Sequence, residues 1–212
     1  MNIRARCFVV CCISLILGAL RPGWAAPPVE GTAHLREGQI LRGRFEQERH
    51  LEGFQTPVKS TGTFLLVPGR GLVWRTEVPF AVTTVISPAG LMQEVRGQET
   101  MRMPAAKLPF MSKLYAMLSG TMVGDWSALT SAFNVVRIPE AKGWSLRFTP
   151  LKAGDPTLPV QAIRARGHKF LDEIELVKPN GDRDRLVFLD QKIETAQPGA
   201  QEAALLEALT RQ

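Results

Sequence analysis

Cysteine is scarce in this sequence, and its three copies, Cys7, Cys11 and Cys12, all lie near the start of the chain. Without residues 1–25 no cysteine remains, so an exported form of the chain could form no disulfide. Such a protein must be held together by its hydrophobic core. Long apolar runs are also missing after residue 25, since none approaches the ~18 residues of a membrane-spanning helix. We therefore expect a soluble exported protein.

Motifs of catalysis are absent as well. The sequence has no G-x-S-x-G elbow, no phosphate-binding glycine loop and no H-E-x-x-H pair. Its three histidines, His34, His50 and His168, lie far apart and outside any tight cluster with aspartate, which argues against a metal site. The formal charge is +6 without a long cationic run, which makes nucleic acid a poor partner. We predict no enzyme activity, no catalytic residues, no metal and no cofactor.

The first 25 residues have the three parts of a secretory signal peptide. Arg4 and Arg6 supply the positive start, Phe8–Leu20 is apolar apart from one serine, and small residues occupy positions 23 and 25. An uncleaved membrane anchor is the alternative, but the apolar run is short for one. The predicted organisation is a signal peptide over residues 1–25 and one domain over residues 26–212.

The best strand pattern in the chain runs from Gly62 to Ile86 and contains three strands in succession. In the middle strand, Leu72–Glu77, Leu, Trp and Thr alternate with Val, Arg and Glu. That period of two is typical of a sheet with one covered and one solvated face. Ile40–His50 alternates in the same way, and short turns separate the later strands. The short turns predict an antiparallel meander, because parallel strands need long crossovers.

Helical spacing replaces the strand pattern after Pro104. Phe110–Leu118 has apolar residues at the spacing of one helix face. A second short helix is predicted with Asp125 as its N-cap and with Phe133 on its apolar side. The final helix is predicted over Glu202–Leu209. Strands resume between the second and the final helix.

The fold class that follows is mainly β. We predict an open, antiparallel β half-barrel of roughly ten strands, with a short helical lid inserted mid-chain. So many strands should curl, and a curled sheet can enclose a cavity.

Methionine is concentrated in one region, since six of the seven lie between Met92 and Met122. Flexible methionines suit a wall that adapts to variable acyl chains, but they also fill irregular cores, and the residues alone favour the second interpretation. The predicted lining of the cavity and the lid is apolar: Leu72, Trp74, Phe80, Ile86, Leu91, Met101, Met103, Phe110, Met111, Leu114, Met117 and Leu118.

Arg70 lies in a turn between two glycines. Its guanidinium could hold a lipid headgroup, or latch the lid by donating hydrogen bonds to backbone carbonyls. An ordinary surface arginine in a turn is the third possibility, and the sequence leaves all three open.

Several motifs in this order resemble the periplasmic outer-membrane lipoprotein carrier (LolA) family: Phe45-Glu46-Gln47, Gly62-Thr63-Phe64, the segment Pro68–Trp74 and the segment Val85–Gly90. The resemblance spans residues 32–195. It implies a half-barrel with a helical lid, a periplasmic location and no catalytic residues. It also implies an acylated lipoprotein cargo, an inner-membrane transporter as donor and an outer-membrane acceptor. We expect a monomer.

One feature of the family differs in this chain. The family's lid-closing arginine precedes the proline of the turn, a position held here by Val67 or Pro68, so that Arg70 is a displaced candidate. Other motifs resemble a divergent branch that accompanies lipid or polyene exporters: Phe45–Arg49, residues 57–62, residues 124–126 and residues 181–183. Two functions therefore remain open. One is a transport chaperone for lipoproteins or lipids in outer-membrane biogenesis, and the other is a lipid-sensing or scaffolding module of an export system.

Overall fold

Eleven antiparallel strands form a single sheet in the computed structural model, which describes residues 35–107, 115, 119–120, 122, 127–154 and 160–209. The strands are β1 Gln39–His50, β2 Val58–Val67, β3 Gly71–Val78, β4 Val82–Ser87, β5 Gly90–Val95, β6 Gln98–Pro104, β7 Phe133–Ile138, β8 Trp144–Pro150, β9 Ala162–Gly167, β10 Leu171–Val177 and β11 Arg183–Thr195. A 3-10 turn covers Ala105–Lys107, helix α1 covers Ser127–Thr130 and helix α2 covers Ala200–Ala208. The predicted mainly β, antiparallel fold class is confirmed.

The order of the strands explains how the sheet is covered. It runs β6-β5-β4-β3-β2-β1-β11-β10-β9-β8-β7, so two meanders meet where β1 pairs with β11. Strands β6 and β7 are consecutive in the chain yet form opposite edges of the sheet. We call the chain between Pro104 and Phe133, which connects these edges, the crossing segment; its described residues Tyr115, Met122 and Leu129 pack into the core on one face. We call this face the inner face and the opposite one the outer face.

Aromatic side chains show how strongly the inner face is curved. Trp74 on β3 and Phe188 on β11 are separated by β2 and β1, which in a flat sheet would place their backbones about 14 Å apart. Their ring centroids are 6.2 Å apart in an edge-to-face arrangement. The strands must therefore curl towards each other on this side, as the sequence predicted for so many strands.

Two inner-face glycines make room for this curvature. A Cβ atom at Gly62 would lie 1.8 Å from the carbonyl oxygen of Arg75 and 2.9 Å from the ring of Phe45. One at Gly43 would lie 2.6 Å from the ring of Phe64. Hydrogen in place of a side chain lets the aromatic rings of neighbouring strands lie across these positions.

The outer face is covered over part of its width by α2. Leu205 and Leu206 pack there on a second buried cluster that includes Val73, Val85 and Met92. Arg42 forms a bidentate ion pair with Glu202 near the start of α2. The two terminal guanidinium nitrogens of Arg42 lie 2.5 and 2.9 Å from the two carboxylate oxygens of Glu202. Arg102 donates to the carbonyl of Ala208 at 2.6 Å near the end of the helix. The predicted final helix is thus confirmed, shifted two residues towards the N-terminus at its start.

Ion pairs cross the remainder of the outer face. Glu173 on β10 accepts hydrogen bonds from Arg166 on β9 at 2.8 Å and from Arg185 on β11 at 2.6 Å. Arg185 also forms an ion pair with Glu48 on β1. Glu48 in turn pairs with Lys59 on β2 at 2.8 Å. The sequence predicted Glu173 to be solvated strand-surface charge, and that was wrong: it is only 7% exposed, because two arginines enclose it.

A second correction concerns Phe133. The sequence predicted this residue on the apolar side of a helix, but α1 ends at Thr130 and Phe133 begins strand β7. The alternating, partly β-branched stretch Phe133–Ile138 pairs with β8 over its whole length. Pairing with β8 therefore places Phe133 in a strand despite its helical spacing from Leu129. The sheet has eleven strands as a result, one more than the roughly ten predicted. The predicted cap Asp125 and the predicted helix over 110–118, apart from Tyr115, lie outside the described residues.

Candidate functional site

Four rings form the centre of the inner face. Phe45 stacks on Trp74 with ring centroids 3.8 Å apart, and Phe64 lies 6.2 Å from Trp74. Phe188 meets Phe64 edge-to-face at 5.6 Å. We call these four residues the aromatic cluster. Phe45, Phe64 and Phe188 are buried whereas Trp74 is half-buried, so the tryptophan forms the accessible side of the cluster.

The structure brings most of the predicted lining residues of the first meander to this face. Leu72 and Ile86 are buried in the inner core, and Trp74 and Leu91 pack against it. Met101 and Met103 are half-buried, and their pairing opposite Gln93 and Leu91 assigns them to the inner face as well. Leu72, Ile86, Leu91 and Met103 form one apolar row from β3 to β6. In the neighbouring row, Thr84 and Gln93 separate Trp74 from Met101.

Phe80 lies elsewhere. It follows the end of β3 at Val78, and 76% of its surface is exposed. In this structure it therefore lines the loop between β3 and β4 and not the inner face. The other predicted residues, Phe110, Met111, Leu114, Met117 and Leu118, lie outside the described residues.

The described residues of the crossing segment lie on the inner core. Tyr115, Met122 and Leu129 are each less than 9% exposed. The Tyr115 hydroxyl is buried beside the backbone of Gly69, in the turn between β2 and β3, without a well-aligned hydrogen-bond partner in the described part of the chain. Burial raises the pKa of this phenol, so it stays neutral at physiological pH. The crossing segment thus contacts the same turn in which Arg70 lies.

Arg70 itself points to the other side of the molecule. Its guanidinium lies 3.8 Å from the carboxylate of Glu207 on α2, and more than a third of its side chain is exposed. A pair at that distance and exposure contributes little to stability. The predicted roles of Arg70 as a lid latch or a headgroup contact remain predictions.

A charged group lies on the inner face at the end of β1 and β11. The carboxylate of Asp184 accepts from Arg49 at 2.7 Å and lies 2.9 Å from the ammonium of Lys178. Burial opposes the ionisation of Asp184, but the hydrogen bonds from Lys178 and Arg49 outweigh it and lower its pKa. This end of the inner face therefore holds an ionised, internally paired group. No group of three potential metal ligands occurs among the residues that the structure describes.

Sequence reasoning missed three members of the aromatic cluster as lining residues: Phe45, Phe64 and Phe188. Strands β1 and β2 follow each other in the chain, and pairing them sets Gly43 opposite Phe64 and Phe45 opposite Gly62. Phe45 and Phe64 could therefore have been found from the sequence. No local signal points to Phe188, since its contact with Trp74 joins residues far apart in the chain.

No protein-family model matches the chain, and no curated protein matches it. Solved structures similar to it include a putative outer-membrane lipoprotein-sorting protein domain from Vibrio parahaemolyticus, with 10% identity, a TM-score of 0.40 and coverage of 80% of this chain and 92% of that one. A LolA superfamily protein from Nitrosomonas europaea has 8% identity, a TM-score of 0.39 and coverage of 79% and 90%. A DUF1329 family protein from Desulfovibrio piger has 8% identity, a TM-score of 0.42 and coverage of 83% and 92%.

All three similarities have identities of at most 10% and TM-scores of at most 0.42. At such low identity the likeness concerns the fold alone. Among the described residues, no helix is both long enough and apolar enough to cross a membrane.

Proposed function

We propose that this protein is a periplasmic carrier that binds the acyl chains of lipoproteins or lipids on its inner face and carries them towards the outer membrane. The observation that supports this most directly is the aromatic cluster on a curved, open sheet. A structural core between two sheets would be closed by a second sheet, whereas here the described cover comes from the crossing segment, with Leu35 and Val160 packed beside it. Such a cover can be displaced without disturbing strand pairing.

The energetics of acyl-chain burial fit a carrier. Each methylene removed from water contributes about 0.8 kcal/mol, so a chain of ~16 carbons gains roughly 10 kcal/mol before ordering costs. In this structure Tyr115, Met122 and Leu129 already occupy the inner core. Cargo would therefore compete with these side chains for the same apolar surface, and this competition provides a route for release.

The remaining parts of the proposal come from the sequence and from the resemblance. The sequence predicts an N-terminal signal peptide over residues 1–25 and a single domain over residues 26–212. The resemblance adds an inner-membrane transporter as donor and an outer-membrane acceptor, and we expect a monomer. The proposed role is transport without catalysis. Arg70 remains a candidate for closing the lid or contacting a headgroup.

Two adjacent threonines provide a matched test. Thr84 faces inward opposite Trp74, whereas Thr83 faces outward opposite Arg75, and both are half-buried. Thr84→Glu should weaken binding of a fluorescent fatty acid at least tenfold, because a carboxylate beside an acyl chain is costly to desolvate. The Thr83→Glu variant should bind the fluorescent fatty acid with the same affinity as the unmodified protein. Equal affinities of the two variants would contradict an inner-face site.

Cross-linking in cells separates the carrier from the lipid-sensing or scaffolding module. A carrier should give brief contacts with components of both membranes and should co-purify with lipid that mass spectrometry identifies. A stable, stoichiometric complex with one membrane partner, together with a lipid-free protein, would contradict the carrier.

A further inference from the structure

Strands β7, β8 and β9 are rich in arginine and contain no acidic residue. Together they carry four arginines, Arg137, Arg147, Arg164 and Arg166, and neither aspartate nor glutamate. A carboxylate that pairs with one of these arginines must therefore come from outside the three strands. Within the sheet the nearest source is β10, which pairs with β9.

Strand β10 supplies carboxylates to two of the arginines. Arg166 lies opposite Glu173 and donates two hydrogen bonds to it, at 2.8 and 2.9 Å. Arg164 lies opposite Glu175, with 3.8 Å between a guanidinium nitrogen and a carboxylate oxygen. Because side chains alternate along a strand, Arg164 and Arg166 lie on the same face as Glu173, the outer face. Both arginines of β9 thus have an acidic partner on this face.

Arg147 on β8 differs from both. The register places it directly opposite Arg164 on one side and opposite Val136 on the other. Residues directly opposite each other in an antiparallel pair have Cα atoms about 5 Å apart, and two like charges in such a pair destabilise a sheet. Arg147 is exposed, and no carboxylate in the described part of the chain forms an ion pair with it. The outer face therefore holds two adjacent arginines with room for one more anion.

The surroundings of Arg147 suit a protein partner better than a membrane. Val136 and Ile138 on β7 lie on the same face, and Val136 is 50% exposed. Arginine beside exposed aliphatic side chains is typical of protein interfaces, in which arginine is enriched. An anionic lipid surface would meet the carboxylates of Glu173 and Glu175 on the same face, which would repel its headgroups. Helix α2 packs on β3 and β4 in the other meander, several strands away from this surface.

We propose that the outer face of β7–β9 is a docking surface for an acidic segment of a partner protein. One carboxylate of this segment lies between Arg147 and Arg164 and accepts hydrogen bonds from both guanidinium groups. Glu173 accepts from two arginines in the same way elsewhere on this face. An aliphatic side chain of the segment covers Val136. Because this surface and the inner face lie on opposite sides of the sheet, a partner can bind here while the inner face is occupied.

The test measures binding of two labelled peptides to the purified full-length protein by fluorescence anisotropy. One peptide consists of glutamate and leucine, and the reference peptide has glutamine in place of each glutamate. We expect the acidic peptide to bind about tenfold more tightly, because only its carboxylates complement the arginines. The Arg147→Gln substitution should weaken binding of the acidic peptide about fivefold, the upper value for one solvated ion pair.

Arg44→Gln is the matched control, because it changes the net charge by the same amount. Arg44 also lies on the outer face, opposite Thr63, but on β1, and 60% of its side chain is exposed. This variant should bind the acidic peptide with nearly the affinity of the unmodified protein. Urea unfolding checks the fold of the other variant. Because Arg147→Gln removes one member of a like-charge pair, it should unfold at a higher urea concentration than the unmodified protein.

Several results would overturn the proposal. Equal affinities for the two peptides would show that carboxylates are not recognised. Equal weakening by Arg147→Gln and Arg44→Gln would show that net charge, and not this surface, attracts the peptide. A lower urea midpoint for Arg147→Gln would contradict the repulsion between Arg147 and Arg164. Binding of phosphatidylglycerol vesicles that is lost in Arg147→Gln, without binding of the acidic peptide, would assign the surface to a membrane instead.

Discussion

Glu173 shows how a charged residue on a strand becomes part of the structure. It is 7% exposed, and its carboxylate accepts from Arg166 and Arg185 on the two neighbouring strands. Burial opposes its ionisation, yet the hydrogen bonds from the two arginines lower its pKa. A carboxylate with a lowered pKa in the folded state stabilises the fold above the pKa of the unfolded chain, about 4.3 for glutamate.

We predict that Glu173→Gln lowers the free energy of unfolding by about 2 kcal/mol at pH 7, because the four hydrogen bonds from Arg166 and Arg185 lose their charged acceptor. The difference between the variant and the unmodified protein should shrink as the pH falls below the pKa of the unfolded chain and through the lowered pKa of folded Glu173, where its carboxylate becomes protonated. Urea unfolding at several pH values measures both effects.

Glu175 on the same strand provides the control for this prediction. Its pair with Arg164 has a distance of 3.8 Å, and 44% of its side chain is exposed. Glu175→Gln should change the free energy of unfolding by less than about 0.5 kcal/mol. Equal effects of the two substitutions would show that burial of Glu173 contributes nothing.

Helix α2 is attached to the sheet through the side chain of Glu202. Glu202 accepts from both guanidinium nitrogens of Arg42 and also from the backbone N–H of Gly199 at 2.9 Å, which caps the start of the helix. The ion pair and the cap together fix α2 over the buried outer cluster around Val73.

We predict that Glu202→Ala detaches α2 locally without unfolding the sheet. Losing the pair and the cap should cost about 2 kcal/mol, and the amides of Leu205 and Leu206 should exchange faster with solvent. Hydrogen exchange monitored by mass spectrometry measures this. Glu207→Ala, which removes the exposed 3.8 Å pair with Arg70, is the control and should change their exchange much less. Unchanged exchange in Glu202→Ala would contradict the role of this contact.

Elements with a clean local pattern could be predicted from the sequence. The alternation over Ile40–His50 predicted β1 to within one residue, and the apolar helical segment Glu202–Leu209 predicted α2. Phe133 was misassigned because its spacing from Leu129 fits a helix, whereas pairing with β8 is a contact that a local pattern does not reveal. Burial of Glu173 was missed for the same reason, since its two arginines come from neighbouring strands.

At the scale of the whole molecule, the candidate site depends on curvature. The sequence predicted that Leu72 and Trp74 share a covered face, and the structure agrees. The convergence of Trp74 and Phe188 across three strand spacings follows from the curl of the whole sheet and from the room left by Gly43 and Gly62. No window of the sequence contains that information, so the aromatic cluster became visible only in the folded chain.

The path of the chain is compatible with the opening that the proposed carrier requires. The crossing segment joins the two edges of the sheet, so it can leave the inner face while all ten strand pairings are kept. In the proposed carrier, displacing Tyr115, Met122 and Leu129 would expose apolar surface for an acyl chain to cover. The acyl chain and the crossing segment would then be alternative covers of the same surface.

Photolabelling with an acyl chain tests the central claim most directly. A diacyl lipid with a diazirine near the end of one acyl chain is bound to the protein, irradiated, and the labelled residues are identified by mass spectrometry. The account predicts label on inner-face residues around the aromatic cluster, such as Trp74 and Phe188, and loss of that label in Thr84→Glu. Label confined to α2 or to outer-face residues such as Thr83, or label unchanged in Thr84→Glu, would contradict it.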